Sequence, residues 1–313
     1  MAKFYNSPGR SRLESTSKEI MKRIHEHDPA YGGHFIECTA GTGKGKTALL
    51  LSSALYNLES HPKEKVFFSE CFNTGLQTLK LGKEKVLFLL PKDDKYIRFR
   101  NRNNGQPLEP NVLNIEEYEL PKATFMKIPS GNFDENGIEQ INEEKRYMFS
   151  DLYEKAKLGM INVPIFPNRI MMIDFLTYLR DNIHDFVLVL IDEMSEVCPA
   201  LQSDVDWRNV GKFAAVCKDF RKNKINVWYT AQACTQVDWR VRAAVDIKIF
   251  GPASKVDNIN PVWQKSIHGL EVNRVKGNQF YIVDGGEFGM FRLTDIFEPI
   301  EGQNYEIYRE GVS

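Results

Sequence analysis

A short apolar run, Phe35-Ile36-Glu37-Cys38-Thr39, enters the turn Ala40-Gly41-Thr42-Gly43-Lys44-Gly45-Lys46-Thr47, and helical periodicity follows at once, with Leu50, Leu51, Ala54, Leu55 and Leu58 ahead of a stop at Pro62. A strand that must hand over directly to an amphipathic helix belongs to a βαβ unit, and so to a layered α/β domain with a mostly parallel sheet. A second segment narrows the choice further. Phe186 to Ile191 is an unbroken apolar run, too short to cross a membrane, and reads as a central strand buried on both faces. It ends in two carboxylates, Asp192 and Glu193.

The turn has the chemistry of a polyphosphate cradle. Backbone N–H groups at a glycine-rich bend, opening onto a helix N-terminus, surround phosphate oxygens. Ala40, Gly41, Thr42, Gly43, Lys44, Gly45, Lys46, Thr47 and Ala48 form the expected nucleotide-binding set. Gly43 and Gly45 let backbone approach phosphate with no Cβ in the way. Lys46 is expected on the β- and γ-phosphates and the Thr47 hydroxyl on Mg²⁺. Ala40 stands where the usual pattern has its first glycine, so a Cβ must be accommodated at the first bend. Asp192 is placed to hold Mg²⁺ through its water shell, and Glu193 to orient or deprotonate the water that attacks the γ-phosphate. A kinase has no use for that glutamate. ATP and Mg²⁺ are therefore the expected ligands.

Composition sets bounds. A chain of 313 residues, 42% hydrophobic and 27% charged, can bury the core of one large α/β domain. Its net charge of −1 neither demands nor excludes nucleic acid, because a motor needs only a locally basic channel. Cys38, Cys71, Cys198, Cys217 and Cys234 are scattered without C-x-x-C spacing and read as reduced and mostly buried. With no signal peptide or membrane span visible, the expected location is the cytoplasm.

Residues 1–32 read as a polar N-terminal extension with one helical stretch, Leu13 to His27, in which Leu13, Ile20, Met21 and Ile24 make a narrow apolar stripe. The core is expected over 33–251. It starts as strand, loop, helix, strand (Val66 to Phe68), helix (Phe72 to Leu81) and strand (Val86 to Leu90). Residues 92–168, rich in Asn, Gly, Pro and Lys, read as an insertion or peripheral subdomain. Core character returns with a helix from Arg169 to Asn182, the carboxylate strand, and a helix from Val210 to Lys222. The next strand, Ile225 to Ala231, ends in Thr230-Ala231-Gln232 and is expected beside the carboxylate strand. Ligands bind at the carboxyl ends of strands in such sheets, so Gln232 is placed to sense the γ-phosphate or the attacking water. A segment bearing Arg240 and Arg242 precedes a strand, Ile247 to Phe250, and 252–313 read as an extension with a β-hairpin from Gln279 to Phe291 around a glycine turn.

Taken in order, the phosphate loop, the apolar strand with Asp-Glu, the basic helix, the strand ending in Thr-x-Gln and the Arg-bearing segment resemble the HerA/FtsK superfamily of DNA-pumping ATPases, over roughly 33–251 without the insertion. The resemblance implies a RecA-like (ASCE) P-loop NTPase fold: a mostly parallel sheet flanked by helices, with an insertion between the Walker A loop and the Walker B strand. It implies that Gln232 couples nucleotide state to DNA movement. It also implies a homo-oligomeric ring, hexamer or pentamer, in which an arginine of one subunit reaches the γ-phosphate held by its neighbour. Candidates for that arginine are Arg221, Arg240 and Arg242, with Arg221 and Arg242 favoured. Trp239 is expected to pack.

Cellular FtsK translocases and conjugative coupling proteins carry membrane segments, cellular HerA has a β-barrel before its loop, filamentous-phage morphogenesis ATPases of the zonula occludens toxin type have a membrane span after the motor, and large terminases add a nuclease. By elimination the chain is most similar to genome-packaging ATPases of internal-membrane and archaeal viruses, which implies double-stranded DNA and a viral capsid or membrane vertex as partners. A plasmid, conjugative or cellular HerA-like translocase is the alternative. Lys92, Lys95, Arg98, Arg100 and Arg102, interleaved with Tyr96 and Phe99, could form a basic strand turning at Asn103-Asn104-Gly105 and touching DNA phosphates. The competing reading is a charged, solvated edge strand. His25 and His27 read as a polar helix end, and no zinc site is implied. Two readings of other classes stay open: a small-molecule kinase or GTPase, opposed by Glu193 and the lack of N-K-x-D, and a nucleotide-binding regulator without turnover.

Overall fold

The computed structural model describes residues 11–12, 17–27, 32–69, 78, 81–92, 97–101, 104–107, 113–133, 139–200, 204–254, 267–285, 287–293 and 305–309. In chain order the elements are β1 (Ser11–Arg12), α1 (Ser17–His25), β2 (Phe35–Thr39), α2 (Lys46–Ser60), β3 (Lys65–Ser69), β4 (Val86–Pro91), β5 (Ile97–Asn101), β6 (Ile115–Tyr118), β7 (Ala123–Phe133), β8 (Glu139–Tyr147) and α3 (Ser150–Lys155). There follow β9 (Ile161–Pro164), α4 (Arg169–Asn182), β10 (Val187–Ile191), α5 (Met194–Val197), α6 (Asp204–Cys217), β11 (Ile225–Ala231), α7 (Trp239–Arg242), β12 (Ile247–Phe250), α8 (Ile267–Val272), β13 (Gln279–Asp284), β14 (Glu287–Arg292) and β15 (Tyr305–Arg309).

Among the described residues eleven strands form one sheet in the order β1-β14-β13-β12-β2-β11-β10-β3-β9-β4-β6. From β12 to β6 every neighbouring pair is parallel. The β13–β14 hairpin joins β12 antiparallel and extends the same sheet. Helices cover both faces, which is why the central strands read as continuous apolar runs rather than alternating ones. In β10, Val187, Val189 and Ile191 enter the core under α4 and α6, with Phe175, Phe213 and Phe220. Leu188 and Leu190 enter the opposite core with Leu49, Leu50 and Ala54 of α2 and with Trp228. Each such side chain contributes about 1.5–3 kcal/mol on burial. The strand that carries the carboxylates is thus held rigidly from both sides.

β11 lies between the loop strand β2 and the carboxylate strand β10, in register Val227 to Phe35 on one side and Val187 to Ile225 on the other. This order, with one strand interposed between the strand that feeds the phosphate loop and the strand that ends in Asp-Glu, is that of a RecA-like P-loop NTPase sheet.

Several elements differ from the sequence reading. The stretch 92–168 is not segregated from the sheet: β6 and β9 are main-sheet strands, and β9 inserts between β3 and β4. β9 is only four residues long and interrupted by a buried polar residue, Asn162, so no periodicity betrays it. Asn162 is used structurally, accepting from Lys157 N–H at 2.8 Å and donating to the Val66 carbonyl at 3.0 Å. The β7–β8 hairpin forms a separate two-stranded sheet. The helix expected from Val210 to Lys222 begins earlier, at Asp204, and ends at Cys217, with a separate 3₁₀ turn at Arg221–Asn223. The helix expected from Phe72 to Leu81 lies mostly outside the described residues.

The basic strand exists as β5, but its long partner is β15, antiparallel with Arg100 opposite Glu306. The turn after it closes as expected, Gly105 adopting φ 69° and donating to the Asn101 carbonyl at 2.8 Å. Phe99 is buried and packs edge-on against Phe88, and Lys92 pairs with Glu119 at 2.6 Å. Lys95, Tyr96, Arg102 and Asn103 lie outside the described residues.

The N-terminal helix α1 is shorter than the expected Leu13 to His27 and buries Ile20, Met21 and Ile24 of the stripe against the α2 face, while Leu13 lies outside the described residues. A directional chain of hydrogen bonds ties its end to the core. The Ser53 hydroxyl lies 2.9 Å from His25 Nε2, His25 Nδ1 lies 3.2 Å from Asn57 Oδ1, and Asn57 donates to Glu64 at 3.3 Å. His27 contacts Glu64 and stacks on Phe186 at 3.7 Å. The Asn226 amide, whose oxygen accepts from His34 N–H at 2.7 Å, turns its NH₂ toward His27 Nδ1, which places the His27 proton on Nε2, facing Glu64.

Candidate functional site

The site forms where β2, β10 and β11 end. Beyond Thr39 the chain bends through Ala40–Gly45 into α2, with Gly43 and Gly45 at φ 67° and 85°. Those left-handed conformations are the reason for glycine at both positions. Helix geometry leaves the first N–H groups of α2 without intrahelical acceptors, directed into the bend. Lys46 is buried, its ammonium donating to the carbonyls of Ala40 at 3.1 Å and Gly41 at 3.5 Å. Thr42, Gly43 and Lys44 are exposed on the loop, and Ala48 lies on the first turn of the helix.

The Ala40 departure has a tertiary explanation. A Cβ on Gly251, the residue after β12, would come within 2.7 Å of the Ala40 Cβ. The methyl group that the first bend carries is thus matched by a missing one on the neighbouring strand. The segment after β12 braces the loop: Gly251 N–H donates to the Thr39 carbonyl at 2.7 Å, Gly41 N–H to Pro252 at 2.9 Å, and the Ser254 hydroxyl to Thr39 at 2.6 Å.

The carboxylates meet the loop directly. The Thr47 hydroxyl donates to Asp192 Oδ2 at 2.9 Å, and the Thr230 hydroxyl donates to Asp192 Oδ1 at 2.7 Å. Glu193 has φ 61° and ψ 70°, a left-handed conformation rare for a residue with a long side chain. Its N–H donates to Thr230 Oγ1 at 2.9 Å, and its carboxylate accepts from the Ser195 hydroxyl at 2.7 Å and from Gln232 N–H at 3.3 Å. The Gln232 side chain is exposed at the end of β11.

A hydroxyl beside a carboxylate is a hard-oxygen donor set, and Thr47 with Asp192 fits Mg²⁺ by that chemistry. Behind the loop, burial pushes the Cys38 thiol well up, which leaves it an inert core group. Burial likewise raises the pKa of Glu37 on β2, opposed by Lys248, Tyr229 and Arg242 nearby.

The structure brings Lys46, Thr47, Asp192, Glu193 and Gln232 to one edge. It does not bring the arginines there. Arg221 sits at the opposite edge, its carbonyl accepting from Gly33 N–H at 3.0 Å and its guanidinium 4.0 Å from Asp246. Arg242 is half-buried, close enough to Glu37 to favour its charged form. Arg240 is committed to Asp238 through contacts of 2.9 and 3.0 Å, and stacks over Trp207 with 4.5 Å to the ring centroid. Trp239, expected to pack, is 67% exposed. The four-residue helix α7 buries Val241 instead and turns Trp239 outward.

Sequence reasoning missed Thr230, Ser195 and Gly251 as parts of the site. Thr230 was visible within Thr-Ala-Gln, but its role needed the registry that sets it level with Asp192. Nothing in the sequence links Gly251 to Ala40.

No protein-family model and no curated protein matches the chain. Among solved structures it is similar to the genome packaging NTPase of Sulfolobus turreted icosahedral virus 2 in complex with ATP-gammaS, at 11% identity over 86% of this chain and 98% of that one, with a TM-score of 0.44. It is also similar to the pCW3 conjugation coupling protein TcpA with ATPgS, at 10% identity over 83% of this chain and 60% of that one, TM-score 0.41. The N-terminal domain of zonular occludens toxin from Neisseria meningitidis aligns at 10% identity over 90% and 96% of the two chains, TM-score 0.29. These likenesses are loose, and the fold assignment rests on the strand order and the two loops. No helix among the described residues is long and apolar enough to cross a membrane.

Proposed function

We propose that the chain is an ATP-driven translocase of double-stranded DNA, the genome-packaging motor of a virus, working as a hexameric or pentameric ring. The observation that carries the hydrolytic half is the contact of Thr47 with Asp192, which joins the phosphate loop to a carboxylate strand whose next residue is a second acid. In this reading the N–H groups of the loop and the Lys46 ammonium bind the β- and γ-phosphates, Lys46 exchanging its loop carbonyls for phosphate oxygens. Mg²⁺, held by Thr47 and Asp192, would supply neutralisation of charge on the phosphate oxygens. Glu193 takes a proton from the attacking water or orients it, and must first leave Ser195 and Gln232 N–H. Gln232, whose backbone already contacts Glu193, reports that change along β11.

An arginine from the neighbouring subunit completes the site. Arg221, exposed on the edge away from its own loop, suits action in trans better than Arg242, which lies half-buried beside Glu37. The basic strand β5 is the proposed DNA-phosphate contact, and a viral capsid or membrane vertex the docking partner. The reading is tested by steady-state ATP hydrolysis with and without double-stranded DNA, with Glu193→Gln as control. DNA-stimulated turnover that this substitution abolishes while nucleotide binding persists is the expected result. Hydrolysis indifferent to DNA removes the translocase, and binding without hydrolysis leaves a nucleotide-dependent regulator.

A further inference from the structure

Thr230 is fully buried, on β11, between the loop strand and the carboxylate strand. Its hydroxyl has one proton and gives it to Asp192 Oδ1 at 2.7 Å, while its oxygen accepts the Glu193 N–H at 2.9 Å. One side chain thus touches both acidic residues at once. The first bond engages Oδ1 of Asp192 and leaves Oδ2 directed at the Thr47 hydroxyl. The second pins the peptide of a residue held at φ 61°. Asp192 N–H is itself tied to the Ser69 carbonyl at 3.0 Å, so the peptides on either side of Asp192 are anchored to the two strands flanking β10.

We infer that Thr230 is a positioning residue for metal–nucleotide binding and hydrolysis: by holding one Asp192 oxygen it fixes the plane of that carboxylate so that the other faces Thr47, and it holds the Glu193 backbone in the conformation that aims its carboxylate. Because Gln232 stands two residues further along the same strand, a displacement of β11 shifts Thr230 with it, and both acids follow. The inference rests on the nucleotide-site reading above.

The test compares Thr230→Val, which keeps the shape and removes the hydroxyl, with Thr230→Ser, which keeps the hydroxyl and removes the methyl. Binding of a fluorescent ATP analogue is titrated in EDTA and in Mg²⁺, turnover is measured on the same preparations, and thermal melting checks folding. Loss of a hydrogen bond to a charged group predicts that Thr230→Val lowers the Mg²⁺-dependent gain in nucleotide affinity, and kcat, by roughly 10- to 100-fold each, with binding in EDTA unchanged. Thr230→Ser restores both to within a few-fold. A Val variant that folds and matches wild type in Mg²⁺ dependence and turnover overturns the inference, as does a Ser variant as impaired as Val. If wild type does not hydrolyse ATP but Val still erases the Mg²⁺ dependence of binding, the positioning role stands and the hydrolytic reading falls. If wild type binds no nucleotide in either buffer, both fall.

Discussion

Gly251→Ala tests whether the loop tolerates its unusual alanine only because of a gap on the adjacent strand. The new Cβ would lie 2.7 Å from Ala40 Cβ and 2.8 Å from Phe280 Cε1, where carbon atoms prefer about 3.5–4.0 Å. Retreat is restricted, because Gly251 N–H is bonded to the Thr39 carbonyl at 2.7 Å and Ala40 N–H to the Ala231 carbonyl at 3.3 Å. Overpacking of this kind destabilises by about 1–3 kcal/mol, and with an unfolding entropy of about 2.1 cal/mol/K per residue a chain of 313 residues loses roughly 1.5 °C of Tm per kcal/mol. The strain falls on the residue that begins the phosphate loop, so nucleotide affinity should fall with it. Ala40→Gly removes the first clash and leaves the Phe280 contact. The double variant should therefore recover only part of the loss, with a coupling energy of about 1 kcal/mol, inside the range for touching side chains. Thermal melting, urea denaturation and fluorescent-nucleotide titration of the four proteins in the cycle measure this. A Gly251→Ala protein that melts and binds nucleotide like wild type refutes the reasoning. So does an Ala40→Gly change that acts identically in both backgrounds.

Further outcomes follow from buried polar groups. Burial lowers the pKa of His25 from 6.5 to about 3, against the opposing pull of its bond to Asn57. The folded state therefore keeps His25 neutral where the unfolded chain would protonate it, so this contribution to stability is complete above about pH 6.5 and declines as pH falls toward 3, by at most about 1.4 kcal/mol per pH unit. His25→Gln should flatten the fall in Tm between pH 6.5 and 4.5 relative to wild type, and equal slopes would show that His25 does not carry the effect. Asn162→Ala removes three donor contacts and one acceptor from a fully buried residue, and should cost about 1–3 kcal/mol in urea denaturation, more than Asn162→Asp at low pH, where a protonated acid retains one donor.

The line between sequence and tertiary structure runs through particular residues. Local chemistry was legible: glycines at 43 and 45 as a bend that brings backbone to phosphate without a Cβ, to which the structure adds their positive φ, β10 as a doubly buried strand because it is apolar without interruption, and α1 and α2 from their apolar stripes. These properties depend on a residue and its chain neighbours, so they survive in a linear text. Strand order did not. β9 carries a buried Asn whose partners lie on another strand and a loop, and β5 pairs with a segment two hundred residues away. The same holds within the site. Lys46, Thr47, Asp192 and Glu193 announced themselves by type and spacing, whereas Thr230 matters because registry sets it level with Asp192, and Gly251 because its missing Cβ faces Ala40. The arginines show the distinction most clearly, since three similar residues near one strand end up at the far edge (Arg221), within electrostatic reach of a buried acid (Arg242) and locked to Asp238 (Arg240). By itself the sequence determined the reacting groups and the helices and strands that carry them, because those follow from side-chain type and periodicity. Only the tertiary structure decided which groups share an edge, because contact between distant residues is a property of how the sheet is ordered and registered.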